Sequence, residues 1–150
     1  MKRTNNAGFT LIESLLVLLT ITIFLAVPLI SLKHWKEKTK VEIFLNQVER
    51  RIQQTHQSAI IEQHGTKISQ SADNNFLKFE YYHHDVLYRE FLYVEEPLNL
   101  RTIKTIEFLP GSGNIKEIEG IKIEDSLNKR NIIYTFQLGS GKVIRRDEKK

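Results

Sequence analysis

The chain has 150 residues, with 22 Lys and Arg against 18 Asp and Glu, a formal charge of +4 and no cysteine. The lack of cysteine excludes disulfides, thiol catalysis and thiolate metal sites. A positive balance this slight, with Lys2 and Arg3 both in it, is no electrostatic footprint for nucleic acid, and an apolar N-terminal run leaves only a small soluble core.

In chain order, a short polar and basic stretch, residues 1–8, comes first. An apolar run from Phe9 to Leu32 follows, broken near its start by one acid, Glu13. These 24 residues reach about 36 Å as a helix, enough for a hydrocarbon core of about 30 Å. A secretory signal fits poorly, because the run is long and its end, Pro28-Leu29-Ile30-Ser31-Leu32-Lys33, holds no small-residue cleavage site. An ordinary single-pass anchor fits the length but leaves Glu13 unexplained, since a carboxylate at the bilayer centre costs roughly 2.5–3.5 kcal/mol. A leader cut on the N-terminal side of the run accounts for both. Lys2 and Arg3 favour a cytoplasmic N-terminus, while Lys33, Lys36, Lys38 and Lys40 beyond the run weaken that bias.

The stretch Gly8-Phe9-Thr10-Leu11-Ile12-Glu13, followed by Ser14-Leu15-Leu16-Val17-Leu18-Leu19, resembles the leader and mature start of type IV pilins and pseudopilins. The resemblance implies a prepilin peptidase that cuts between Gly8 and Phe9, N-methylation of Phe9, and Glu13 as the charge that directs assembly. On a helix Phe9 and Glu13 are i and i+4 and share a face, so the amine of the same chain or of the next subunit could neutralise the acid. The plainer alternative is that Glu13 snorkels to the headgroups. Pro28 removes one helical hydrogen bond; a kink over Phe24 to Pro28 is expected, or a membrane-helix proline absorbed by its neighbours.

Residues 33–64 read as an amphipathic helix continuing the apolar one. Val41, Leu45, Val48, Ile52, Thr55 and Ala59 step by fours and threes along one face, with Phe44 and Ile60 widening the stripe. Gly65 is the expected stop, and 65–75 a polar loop. Strands are expected at 76–82, 86–94, 105–109, 115–118 and 121–124. The last hairpin is expected to run from Asn131 to Arg146 around Gly139-Ser140-Gly141, with a frayed end after it.

The expected fold class is therefore α+β and pilin-like: a long N-terminal helix, half membrane and half amphipathic, packed on one small antiparallel sheet. The expected organisation is a leader (1–8), a transmembrane or filament-core helix (9–32), an amphipathic helix (33–64) and a β head (65–150). Cysteine-free and small-headed, the chain is most similar within the family to a minor pilin of the competence system of Gram-positive bacteria. That resemblance implies a subunit needed for DNA uptake, acting by assembly and without catalysis or cofactor. Its partners would be other pilin subunits, the prepilin peptidase and the membrane, with DNA contact at most indirect. The cell membrane would hold it, N-terminus inside and head outside, until it reached the cell surface in the filament. Two other readings stay open: a minor pseudopilin of a type II secretion system, and an uncleaved membrane-anchored ligand-binding module. Adjacent His83 and His84 point to opposite faces of a strand and could approach one metal ion only in a turn with Asp85. No phosphate loop, nucleophile elbow or metal helix appears, so no catalytic or metal residue is named.

Overall fold

The computed structural model describes residues 10–70, 76–101 and 103–150; within its helix the side chains of 26–31, 33 and 34 lie outside the description. The chain divides into two compact units, Met1–Thr39 and Lys40–Lys150. Helix α1 is Leu11–Ile61, and the strands are β1 (Thr66–Gln70), β2 (Phe76–His83), β3 (Val86–Tyr93), β4 (Leu98–Leu100), β5 (Ile106–Phe108), β6 (Gly120–Asp125), β7 (Arg130–Phe136) and β8 (Val143–Lys149). They form two antiparallel sheets, in the orders β3-β2-β1-β5 and β4-β6-β7-β8.

In the second unit, the apolar stripe of α1 is the face that leaves water. Val41, Leu45, Val48, Ile52, Thr55 and Ala59 are all at most 1% exposed. They join one apolar cluster with Ile68, Leu77, Phe79 and Phe108 of the first sheet and Ile121, Ile123, Ile132, Tyr134 and Phe136 of the second. Phe108 and Phe136 meet edge to face at 5.7 Å, so the core is continuous from sheet to sheet. Polar groups fasten the same helix. The Ser58 hydroxyl donates to the Tyr82 carbonyl at 2.7 Å and accepts from its N–H at 2.8 Å, while the Thr66 hydroxyl donates to the Thr55 carbonyl.

These facts correct the expected fold class in two respects. The strands make two sheets, not one small head sheet. From Val41 to Ala59 the stripe extends about 27 Å, and apolar side chains of both sheets are buried against it. The second sheet meets the stripe near Leu45 and Glu49 through Tyr134, and the first meets it near Thr55 and Ser58. Further, no helix among the described residues is long and apolar enough to cross a membrane. The uninterrupted stretch of described side chains in the apolar run is Leu11 to Leu25, about 22 Å of helix against a core of about 30 Å. The expected membrane-spanning helix is thus not found among the described residues; what stands is α+β with two antiparallel sheets.

Smaller corrections share one cause. The stretch expected as a loop after Gly65 contains β1, the strand between β2 and β5; only Thr66 and Ile68 of it face the core, so its polar composition hid it. Leu98–Leu100, unassigned from the sequence, pairs with β6. Residues 115–118 contribute one bridge, Phe108 to Ile115, in place of a strand. Helix α1 ends at Ile61, and Gln63, at φ 55°, takes the left-handed position that Gly65 was expected to supply.

The end expected to fray instead continues β8 to Lys149, in full register with β7. Arg130 on β7 reaches Asp125 (3.0 Å), Asp147 (2.8 Å) and Glu42 of α1, and Arg145 reaches Asp147 (2.9 Å) and Glu49 (3.2 Å). Tyr134, fully buried, directs its hydroxyl toward Glu49 and the Leu45 carbonyl; burial and then the Glu49 charge push that hydroxyl's pKa up. Burial alone would raise the Asp125 carboxyl. The Asn128 side chain and backbone N–H, with Arg130, outweigh it and hold the carboxyl below its usual range. Arg145 chiefly does the same for Asp147, and Lys67 and Arg89 do so for Glu80 against its burial.

Two predictions follow from this packing. Carboxyls lowered in the folded state stabilise it above their unfolded pKa, and that contribution is lost as pH falls through the folded values. Urea midpoints of the full chain in mild detergent should therefore hold from pH 7 to 5 and fall below about pH 4. Asp125→Asn should flatten this acid slope, and an unchanged slope would refute the coupling. The second concerns Gly139 and Gly141, at φ 88° and 64° in the β7–β8 connection. Space is open at Gly139, but a Cβ on Gly141 would lie 2.0 Å from the Gly113 carbonyl oxygen. Gly139→Ala should cost about 1–2 kcal/mol for backbone conformation alone, and Gly141→Ala clearly more, by the same urea assay.

Candidate assembly site

Of the residues singled out by the sequence, Glu13 is described fully. Gly8 and Phe9 lie outside the described residues, as does the Pro28 side chain, so the expected cleavage point, N-methylated residue and kink are not described. Glu13 is exposed in the first turn of α1. Its carboxylate accepts from the Thr10 N–H at 3.5 Å, and its own N–H donates to the Thr10 hydroxyl at 3.4 Å. These are long hydrogen bonds, but reciprocal ones: Thr10 and Glu13 form a capping box. The signature Thr-x-x-Glu ahead of an apolar run is present in the sequence as Thr10-Leu11-Ile12-Glu13. The carboxylate also lies at the positive end of the helix dipole, where an acid is stabilised.

Beyond that turn the helix presents apolar side chains in every direction. Leu11 (81% exposed), Ile12 (72%) and Phe24 (79%) are the most open, and Leu15, Leu16, Val17, Leu18, Leu19, Ile21, Ile23 and Leu25 are exposed as well. A helix apolar all round belongs inside a larger assembly or in lipid. Its hydroxyls agree with such surroundings. Ser14 donates to the Leu11 carbonyl, Thr20 to the Val17 carbonyl and Thr22 to the Leu18 carbonyl, each at 2.8 Å. These three hydroxyl donors are thus satisfied along their own helix.

The histidine pair lies elsewhere, at the β2–β3 hairpin tip. His84 and Asp85, at φ 51° and 61°, make the two-residue turn, whose twist matches that of the strands. His64 Nε2 is 3.0 Å from Asp85, and His83 Nδ1 is 3.7 Å from Glu62. His64 and His83 thus face separate carboxylates, and among the described residues no group of three His, Cys, Asp or Glu could hold a metal ion. Ser112 and Ser140 belong to glycine-bracketed turns. His56 lies beneath those turns, its Nε2 3.0 Å from the Ser140 carbonyl oxygen.

No protein-family model, curated protein or solved structure matches this chain.

The capping box is open to measurement. Glutamine at position 13 can still accept the Thr10 N–H, whereas alanine cannot. Amide exchange over Leu11–Ser14 in mild detergent should be nearly unchanged in Glu13→Gln. In Glu13→Ala it should quicken about two- to thirtyfold, the range that corresponds to losing a cap worth about 0.5–2 kcal/mol.

Proposed function

We propose that the chain is a minor subunit of a type IV pilin- or pseudopilin-type filament that serves DNA uptake in competence, and that it works by assembly. The observation that carries this reading is the helical surface from Leu11 to Leu25, which is apolar on all sides, uncovered and marked by one acid in its first turn. A surface of this kind needs neighbours, and identical or related helices are the neighbours that the Gly8–Glu13 sequence favours. Cutting after Gly8 would remove Lys2 and Arg3 and free an amine on Phe9, one residue before the Thr10 N–H that Glu13 already approaches. The carboxylate is therefore at the correct end of the helix to take that amine from its own chain or from the next subunit. Before assembly the chain would be held at the cell membrane, N-terminus inside, where a prepilin peptidase could reach Gly8.

The test is direct. Chain extracted from cells should begin at Phe9, and Gly8→Ala should leave the full-length form. Identical mobility with and without the peptidase would refute the reading. Glu13→Gln, which keeps the cap but removes the charge, should be processed normally yet enter filaments at least about tenfold less, the equivalent of about 1.4 kcal/mol. Normal incorporation would show that the cap, not the charge, is what position 13 provides. Deletion should abolish transformation; loss of protein export instead would assign the subunit to a secretion machine.

A further inference from the structure

We propose that the outer edge of β3 is a docking site for an extended strand of a different protein, one with an acidic residue flanked by apolar residues. This rests on the head alone and is independent of the filament reading.

The two sheets have four edges, and three are blunted in the ways that prevent strand addition. β4 and β5 are three residues each, and β8 carries Arg145, Arg146, Asp147, Glu148 and Lys149 in succession. β3 is different. It runs for eight residues at the end of its sheet, and among the described residues no strand pairs with its outer side. It also exposes Val86, Leu87, Tyr88, Phe91 and Tyr93.

The register sets what a partner must supply. The two-residue turn makes His83 and Val86 the closing hydrogen-bonded pair. By alternation, Leu87, Arg89, Phe91 and Tyr93 turn their N–H and C=O groups away from β2. The side chains of these four residues share the face that carries Tyr82, Glu80, Lys78 and Phe76. Across that face one row of charges crosses the whole sheet: Glu107, Lys67, Glu80 and Arg89, alternating in sign and ending on the open edge at Arg89. Arg89 bonds Glu80 through Nε at 2.9 Å, and its side chain is 60% exposed. Around the row, Lys67, Lys78, Arg89 and Lys116 make four cations against two carboxylates, Glu80 and Glu107. The next place in the row, on an added strand opposite Arg89, therefore calls for an acid, and the places opposite Leu87 and Phe91 for apolar side chains. On the other face, a groove of about 520 Å³ beside Tyr88, lined also by Gln57, Ile61 and Tyr81, is open to a side chain from the same strand.

A second copy fits less well. A twofold axis through paired edges relates residues of equal parity, so full-length self-pairing centres on Arg89 or on Glu90 and sets like charges opposite each other.

The probe is a labelled peptide alternating valine and threonine around a central glutamate, titrated by fluorescence anisotropy into the full chain in mild detergent. A peptide with central lysine is the comparison. The glutamate peptide should bind saturably and at least about fivefold more tightly than the lysine peptide. Arg89→Gln should bring the two peptides to similar affinity. Phe91→Pro removes an outward N–H while sparing the β2 ladder, so it should abolish binding with the hairpin's amide protection retained. Should that variant fail to fold, the Arg89→Gln comparison decides alone. Absent binding, equal affinity of wild type for both peptides, or undiminished binding to folded Phe91→Pro would overturn the proposal. So would a concentration-dependent dimer of the chain that Phe91→Pro dissolves, since the edge would then serve a second copy.

Discussion

Six side chains on one face of α1, from Val41 to Ala59, must leave water together, and most of the head is arranged to let them. The strands of both sheets bury side chains against this stripe, about 27 Å long, with Phe108 and Phe136 closing the core between them. The polar features of the interface follow from the same demand. Thr55 and Ser58 lie on or beside the stripe and are buried, and a strand residue meets each by hydrogen bond: Thr66 for the Thr55 carbonyl, Tyr82 for the Ser58 hydroxyl. Buried polar groups are tolerable on those terms and costly otherwise.

The ion-pair network of β7, β8 and α1 is a different kind of restraint. Its members are partly exposed, apart from Asp125, so each pair alone contributes little. Its importance is geometric. Arg130 binds a carboxylate in β6, one in β8 and one in α1, and Arg145 ties the C-terminal strand to the helix at Glu49. A strand of seven residues with five consecutive charged side chains has little apolar area to hold it in place, and these contacts supply its registration. The charge row of the first sheet uses the same chemistry, but it ends at an open edge.

The N-terminal unit poses the opposite problem. Its described apolar side chains from Leu11 to Leu25 are exposed on all sides, with none of the one-faced burial that the Val41–Ala59 stripe has. Glu13 caps this helix by its reach to Thr10, and in the proposed filament its charge would meet an amine.

What the sequence determined by itself was whatever depends on residues near one another in the chain. The stripe Val41–Ala59, the hairpin at His84-Asp85, the glycine turn before β8 and the apolar run with its acid can all be read from spacing, because helix and strand periods place such residues on a face or at a turn. The capping box was equally local and could have been read. The division of strands into two sheets, the place of β1 and the service of Arg145 and Asp147 in a network could not. Thr66–Gln70 offers only two core-facing side chains, and the last residues look like solvated charge until Glu42, Glu49 and Arg130 come near them. Those outcomes depend on partners far apart in sequence, and only packing against one shared helix brings them together.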